Sequence, residues 1–107
     1  LYVTDTGETG LIYSFKVTNN KISNKKIFAK PRPGSPDGIK VDMNGNVFSS
    51  AWDGVHIFSP KGDLLAKIQV PEQRTANLCF GGKNYDHLYI TSDKSLYSIK
   101  MKTYSKD

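Results

Sequence analysis

The sequence repeats one pattern three times, and this repetition limits the possible folds more than any single motif does. Each copy contains a short apolar strand segment, a turn and a second apolar strand segment. The copies begin at Leu1, Val47 and Leu88, so they recur at intervals of about 40 to 50 residues. Repeats of that length built from short strands are typical of β-propeller blades. A β-sandwich is the alternative, but a sandwich does not require such a repeat.

Turn residues divide the chain into short strands and leave little room for helices. No segment has a sustained helical period of apolar residues, whereas β-branched and aromatic segments alternate with Gly, Asn, Asp and Pro. Three hairpin signals, Asn44-Gly45, Asp53-Gly54 and Lys61-Gly62, occur in the middle of the chain. They separate four candidate strands, at residues 39–42, 46–52, 55–59 and 63–70. We therefore predict an all-β chain with a four-stranded antiparallel meander at its centre.

The repeat predicts parts of three blades, about half of a propeller ring. The predicted parts are the later strands of one blade (1–31), a complete blade (36–71), most of another blade (74–102) and a tail (103–107). The chain begins inside a strand, with no initiating Met and no recognisable signal peptide. It therefore reads as a piece of a longer protein, and its compartment stays unknown.

Charge and composition argue against two classes of partner. The net charge is +5, but the lysines are dispersed and no basic run alternates with aromatic residues, so we expect no nucleic-acid partner. No apolar run approaches the ~20 residues of a membrane span, so we expect no membrane partner. Cys79 is the single cysteine, and its neighbours Leu78 and Phe80 predict a small core residue.

Asp37 is the main candidate for a site residue. It lies in the turn Pro36-Asp37-Gly38, which is usually architectural because Pro presets φ and Gly accepts left-handed geometry. This turn, however, comes directly before a strand, and the innermost strand of a propeller blade starts near the central channel. Asn77 precedes Leu78 in the same way, and a substrate-binding role for it stands against a backbone-capping role.

Other catalytic and metal-binding patterns lack support. The segment from Asp42 to Asn46 has its glycine too early for an EF-hand, and no Glu follows at the twelfth position. No Gly-x-Ser-x-Gly elbow is present, and His56 and His87 lie far apart in sequence, so a serine triad is unsupported. His56, between two apolar residues, is predicted to be a strand residue on a polar face.

The order of the segments resembles the SMP-30/gluconolactonase/luciferin-regenerating family. The segments that carry the resemblance are Leu1-Tyr2-Val3-Thr4-Asp5-Thr6, Pro36-Asp37-Gly38-Ile39, Gly45-Asn46-Val47, Asp53-Gly54-Val55-His56-Ile57-Phe58, Thr75-Ala76-Asn77-Leu78-Cys79-Phe80-Gly81-Gly82 and Leu88-Tyr89-Ile90-Thr91. They occur in family order along nearly the whole chain, which resembles the C-terminal half of such proteins. The stretch from Asp53 to Gly62 is most similar to the fungal lactonohydrolase branch.

The resemblance implies a six-bladed propeller that hydrolyses sugar lactones or similar cyclic esters. It also implies a divalent cation near the channel, usually calcium, with zinc or manganese as alternatives. Of the three protein ligands that the family uses, only the Asp maps onto this chain, as Asp37. The Glu and Asn ligands would lie upstream of Leu1. The resemblance gives Asp37 two roles, as metal ligand and as general base toward a metal-bound water.

Two functions therefore stay open. The chain is either the C-terminal fragment of a metal-dependent lactone hydrolase or a non-catalytic propeller fragment, a binding module without a complete site. A half-ring also exposes strand edges, so the partner that completes it is either the N-terminal half or further copies of the chain.

Overall fold

The chain forms three antiparallel sheets. The computed structural model describes residues 1–106, so Asp107, the end of the predicted tail, lies outside the described residues. The strands are β1 (Tyr2–Thr4), β2 (Ile12–Thr18), β3 (Lys21–Ala29), β4 (Ile39–Val41), β5 (Val47–Ala51), β6 (Gly54–Phe58), β7 (Leu64–Gln69), β8 (Asn77–Gly81), β9 (His87–Thr91) and β10 (Leu96–Lys100). The all-β prediction is confirmed. Within the described residues, no helix is long and apolar enough to cross a membrane.

Each sheet is a meander of consecutive strands. The strand orders are β1-β2-β3, β4-β5-β6-β7 and β8-β9-β10, so the central sheet has four strands and its two neighbours have three. Gly54 closes the turn from β5 to β6 with φ 143°, and a Cβ there would collide with the carbonyl oxygen of Ile68 on β7. Only glycine lets the two backbones approach this closely.

The central sheet is buried on both faces because it lies between the other two sheets. Every residue of β5 and β6 is buried. One core cluster lies on the side of β8–β10 and contains Phe48, Val55, Ile57, Leu78, Leu88 and Ile90. The other lies on the side of β1–β3 and contains Ile12, Ala29, Val47 and Phe58. Two buried faces remove the apolar–polar alternation that a half-exposed strand would have.

Three turns share one hydrogen-bonding pattern. In each, an Asp or Ser side chain accepts hydrogen bonds from the backbone N–H groups two and four residues later; Asp5 uses both carboxylate oxygens, and the other two use one oxygen. The accepting residues are Asp5, Asp42 and Ser59. These side chains stabilise the turns that end β1, β4 and β6, as expected for Asp and Ser at turns. Asp42, in the segment compared with a calcium loop, is thus a turn residue, and it is 1% exposed.

The segment after β10 returns to the central sheet. Ser105 forms an antiparallel bridge with Asp42, and the Met43 N–H donates to the Tyr104 carbonyl oxygen over 3.0 Å. The hydroxyl of Thr103 donates to Asp42 Oδ2 over 3.0 Å. Residues 103–106 are therefore anchored at the end of β4.

The prediction that Cys79 is a core residue is wrong. Cys79 is exposed, whereas Leu78 beside it is buried in the core. Successive side chains of a strand point to opposite faces, so only one of the two can reach the core between the sheets.

Candidate functional site

The backbone of Asp37 is fixed by a buried hydroxyl. The Asp37 and Gly38 N–H groups both donate to Ser50 Oγ, over 3.2 and 3.0 Å, and Ser50 Oγ donates to the Ala76 carbonyl oxygen over 3.1 Å. Ser50 is 0% exposed, so water does not compete for these bonds. The Asp37 carboxylate itself is exposed and makes no hydrogen bond to the described residues. The backbone of the turn is therefore fixed, whereas the Asp37 carboxylate is free to contact a ligand.

The first sheet fixes the same turn from the other side. The Thr4 hydroxyl donates to the Asp37 carbonyl oxygen over 3.1 Å, and the Thr6 hydroxyl donates to the Pro36 carbonyl oxygen over 2.8 Å. Side chains near the end of β1 and in β5, together with the carbonyl of Ala76 before β8, therefore all contact this one turn. These contacts fix the backbone from which the Asp37 carboxylate extends.

Asn77 lies beside the turn but uses its side chain locally. A Cβ on Gly38 would collide with Asn77, which shows how closely β4 approaches β8. Asn77 is the first residue of β8, and its Oδ1 accepts the Leu78 N–H over 2.8 Å. The residues that line the pocket next to Asp37 include Thr75 and Ala76 but not Asn77. Its substrate-binding role stays a prediction.

An open pocket of about 280 Å³ lies against Asp37. Its wall is built from loops at one end of all three sheets. They contribute Thr6 after β1, Gly34, Ser35 and Asp37 before β4, Ala51 and Trp52 at the end of β5, and Arg74, Thr75 and Ala76 before β8. This is the end at which β4 and β8 begin.

Trp52 and Arg74 are wall residues that sequence reasoning missed. The Arg74 guanidinium carbon lies 5.5 Å from the centre of the Trp52 ring, a cation–π contact, and the Arg74 N–H donates to the Trp52 carbonyl oxygen over 2.8 Å. A Cβ on Gly34 would collide with Trp52, so glycine is required there. The available signal was position: Trp52 follows β5, and Arg74 precedes β8.

A pair of polar side chains, His56 and Asp53, belongs to the central sheet and does not line this pocket. The prediction that His56 lies on a polar face is wrong: it is 1% exposed, because both faces of β6 are covered. Its Nε2 pairs with Asp53 Oδ1 at 2.7 Å. Burial raises the pKa of Asp53, but the hydrogen bond and charge of His56 outweigh this effect, so the pKa lies below its usual value.

Residues 1–94 match the model of the SMP-30/Gluconolactonase/LRE-like region. The chain belongs to this family. The resemblance predicted from the segment order is confirmed.

Relatives within the family include two named lactonases. The gluconolactonase of Zymomonas mobilis is 37% identical over 81 residues, which cover 75% of this chain and 22% of the relative. The pentonolactonase of Haloferax volcanii is 31% identical over 96 residues, which cover 85% of this chain and 33% of the relative. The chain therefore spans between a fifth and a third of the length of these relatives.

A solved family structure confirms the propeller prediction. The gluconolactonase of Xanthomonas campestris superimposes with a TM-score of 0.85 at 30% identity, over 92% of this chain and 33% of that chain. The three sheets are therefore blades of the propeller that family members form.

The residues present fit in part the divalent cation that the resemblance implies. A hard divalent cation takes about six to eight oxygen ligands, and carboxylates are preferred among them. Asp37 is exposed and free of hydrogen bonds to described residues, so it fits as one such ligand. Among residues 1–106, no three His, Cys, Asp or Glu side chains come together at one point. The described chain thus offers Asp37 and leaves the other ligands to be supplied from elsewhere.

Proposed function

We propose that this chain is the C-terminal part of a lactone hydrolase that opens sugar lactones or similar cyclic esters. One observation carries the proposal: loops from three blades meet at a pocket whose wall includes Asp37, and the carboxylate there is not used by the fold. The names of the relatives, gluconolactonase and pentonolactonase, support the substrate class.

The proposed mechanism assigns two tasks to Asp37. One carboxylate oxygen would hold a divalent cation, calcium in the first instance and zinc or manganese as alternatives. Such an ion, when bound, polarises the lactone carbonyl and lowers the pKa of a bound water. The second carboxylate oxygen would accept a proton from the attacking water, as a general base does. The acyl C–O bond of the lactone would then break, and the proton would pass to the leaving ring oxygen, which gives the open hydroxy acid. Ser50 and Thr4 keep the backbone of Asp37 still during this step.

The N-terminal part of the full-length protein is the proposed source of the remaining metal ligands. The described residues leave room for it, because the first sheet has no strand inside β1. In the complete blade the inner strand β4 begins at the pocket, so an upstream inner strand beside β1 would bring residues to the same place.

The test uses the full-length protein and the Asp37→Ala variant. We expect this variant to lose kcat/KM for sugar lactones by roughly 100-fold or more, since it removes a general base. Calcium binding, measured by isothermal titration calorimetry, should weaken as well. Asp63→Ala is the matched control: it removes an exposed carboxylate from the turn between β6 and β7. Unchanged turnover and metal affinity in Asp37→Ala would refute the assignment.

A non-catalytic propeller module is the second candidate. The observation that favours it is the single candidate metal ligand within the described chain. On this alternative the full-length protein binds a partner or a sugar, shows no lactonase activity with any of the three cations, and tolerates Asp37→Ala. Activity in the wild-type protein decides between the two.

A further inference from the structure

We propose that Arg74, which lies against Trp52, is a substrate-binding residue. It selects lactones that carry a negatively charged group in addition to the ester over neutral lactones. The inference rests on the proposed lactonase function and specifies the substrate class. It places one charged residue, Asp37, where the ester is attacked and another, Arg74, where the rest of the ligand lies.

The position of Arg74 is fixed by its backbone. Its φ of 63° is in the left-handed region, which non-glycine residues adopt at a cost and which is frequent at ligand sites. The hydrogen bond from its backbone N–H to the Trp52 carbonyl oxygen maintains this conformation. The backbone N–H of Trp52 donates in turn to the Pro33 carbonyl oxygen over 3.0 Å. Backbone hydrogen bonds among three loops thus hold the backbone of Arg74 at the pocket, and the guanidinium lies over the Trp52 ring.

The charge of Arg74 is not neutralised by the fold. The ion pairs within residues 1–106 are His56–Asp53, Lys67–Asp53 and His87–Asp86. Glu72 and Asp93 line a neighbouring pocket with Arg74, but neither carboxylate lies within 4.0 Å of its guanidinium nitrogens. Glu72 instead accepts a hydrogen bond from the backbone N–H of Lys94. A guanidinium carries several N–H donors in one plane, and these match the two oxygens of a planar carboxylate.

The two charged side chains, Asp37 and Arg74, line one pocket that is large enough for a small ligand. Asp37 and Arg74 are the charged side chains among its described lining residues, and the volume of about 280 Å³ is suited to a ligand near the size of one sugar ring. A lactone with its ester toward Asp37 would present its far substituent to Arg74. A carboxylate at that position pairs with the guanidinium, whereas a hydroxymethyl group makes a neutral hydrogen bond. The expected substrate is thus the lactone of a sugar dicarboxylic acid.

Two lactones that differ at one carbon test this proposal. D-Glucaro-1,4-lactone carries a carboxylate where D-glucono-1,4-lactone carries a hydroxymethyl group. We expect the full-length wild-type protein to have the higher kcat/KM for the charged lactone. Arg74→Gln should reduce the charged-to-neutral ratio by about 10-fold or more, mainly through KM, because a charge-assisted hydrogen bond is lost. Arg74→Lys should retain part of the preference, and added salt should weaken it in the wild type.

Arg32→Gln is the matched control, because it removes the other arginine of the chain, which does not line this pocket. A ratio that stays within about two-fold of wild type in Arg74→Gln overturns the proposal, as does an equal loss in Arg32→Gln. If Arg74→Gln unfolds, Arg74→Gly, which suits a positive φ, replaces it.

Calorimetry separates failure of this inference from failure of the lactonase proposal. If wild-type protein hydrolyses neither lactone, the lactonase proposal fails, and binding of glucarate and gluconate still tests Arg74. Tighter glucarate binding that is lost in Arg74→Gln supports the role of Arg74. Equal binding of glucarate by wild type and Arg74→Gln overturns it.

Discussion

At the scale of single residues, one serine determines where the candidate carboxylate lies. Ser50 accepts two N–H groups from the turn that contains Asp37 and donates to the Ala76 carbonyl oxygen. These bonds join the head of β4, the end of β5 and the loop before β8. A methyl side chain in place of the hydroxymethyl side chain would leave these backbone groups with fewer hydrogen-bond partners.

Ser50→Ala is therefore expected to affect stability and turnover together. The free energy of unfolding of the full-length protein should fall by about 1–3 kcal/mol, because the Asp37 N–H loses its acceptor and the Gly38 N–H keeps only the Ala76 carbonyl oxygen. Turnover should fall as well, because the turn moves. Urea unfolding and lactone kinetics measure the two effects. Ser49→Ala is the control: Ser49 is equally buried, but its hydroxyl donates to the Ser50 carbonyl oxygen and does not touch Asp37. A turnover loss as large in Ser49→Ala as in Ser50→Ala would contradict this role.

At the scale of elements, the approach of β4 to β8 forms the site. Gly38 at the head of β4 faces Asn77 at the head of β8, with no room for a side chain between them. The Gly38 N–H also donates to the Ala76 carbonyl oxygen over 3.0 Å. The distance between the two blades at the pocket is thus limited by one glycine.

Gly38→Ala should separate these strands. The added methyl group would overlap Asn77, and overpacking of this kind costs about 1–3 kcal/mol. We expect a lower melting temperature and weaker binding of lactone or product, measured by thermal unfolding and calorimetry. Gly7→Ala is a suitable comparison, because a Cβ there meets its nearest side-chain atom at an ordinary 3.7 Å. A melting temperature equal to that of the wild type in Gly38→Ala would contradict this prediction, because it would show that the two strands can move apart without cost.

The elements also show why sequence reasoning succeeded in part. Turn residues act locally, so Asn44-Gly45 and Asp53-Gly54 predicted the central meander, and Pro36-Asp37-Gly38 predicted a turn at the head of a strand. Burial depends on which strands lie on each face, and the sequence does not state this directly. His56 was misassigned for that reason, since only the neighbouring blades cover both faces of β6. The contact between Trp52 and Arg74 is also non-local, because it joins two loops of different blades.

At the scale of the whole molecule, the three blades are unequal. The central sheet has four strands, whereas the sheet of β8–β10 has three and ends in β10, whose Leu96 and Ile99 are 66% and 42% exposed. An unpaired strand edge with exposed apolar side chains is a template for pairing with another strand.

We expect the 107-residue chain on its own to self-associate through β10. Sedimentation velocity should give a mass above that of the 11.9 kDa monomer, rising with concentration. Ile99→Lys should shift the chain toward monomer, because a charge at a strand edge opposes pairing. Val17→Lys, a similar change at an exposed position of the β2–β3 hairpin, is the control. A monomer at every concentration would exclude ring completion by further copies.

The turn that contains Asp37 is also held by residues of three different blades, so one blade alone does not contain the whole site. Thr4 and Thr6 come from one blade, Ser50 from a second and Ala76 from the approach to a third. Duplication of any single blade would copy the strands but not this set of neighbours. The strand pattern accordingly recurs three times, whereas Pro-Asp-Gly occurs once. The candidate site therefore depends on contacts between blades, and the repeated strand pattern alone does not supply them.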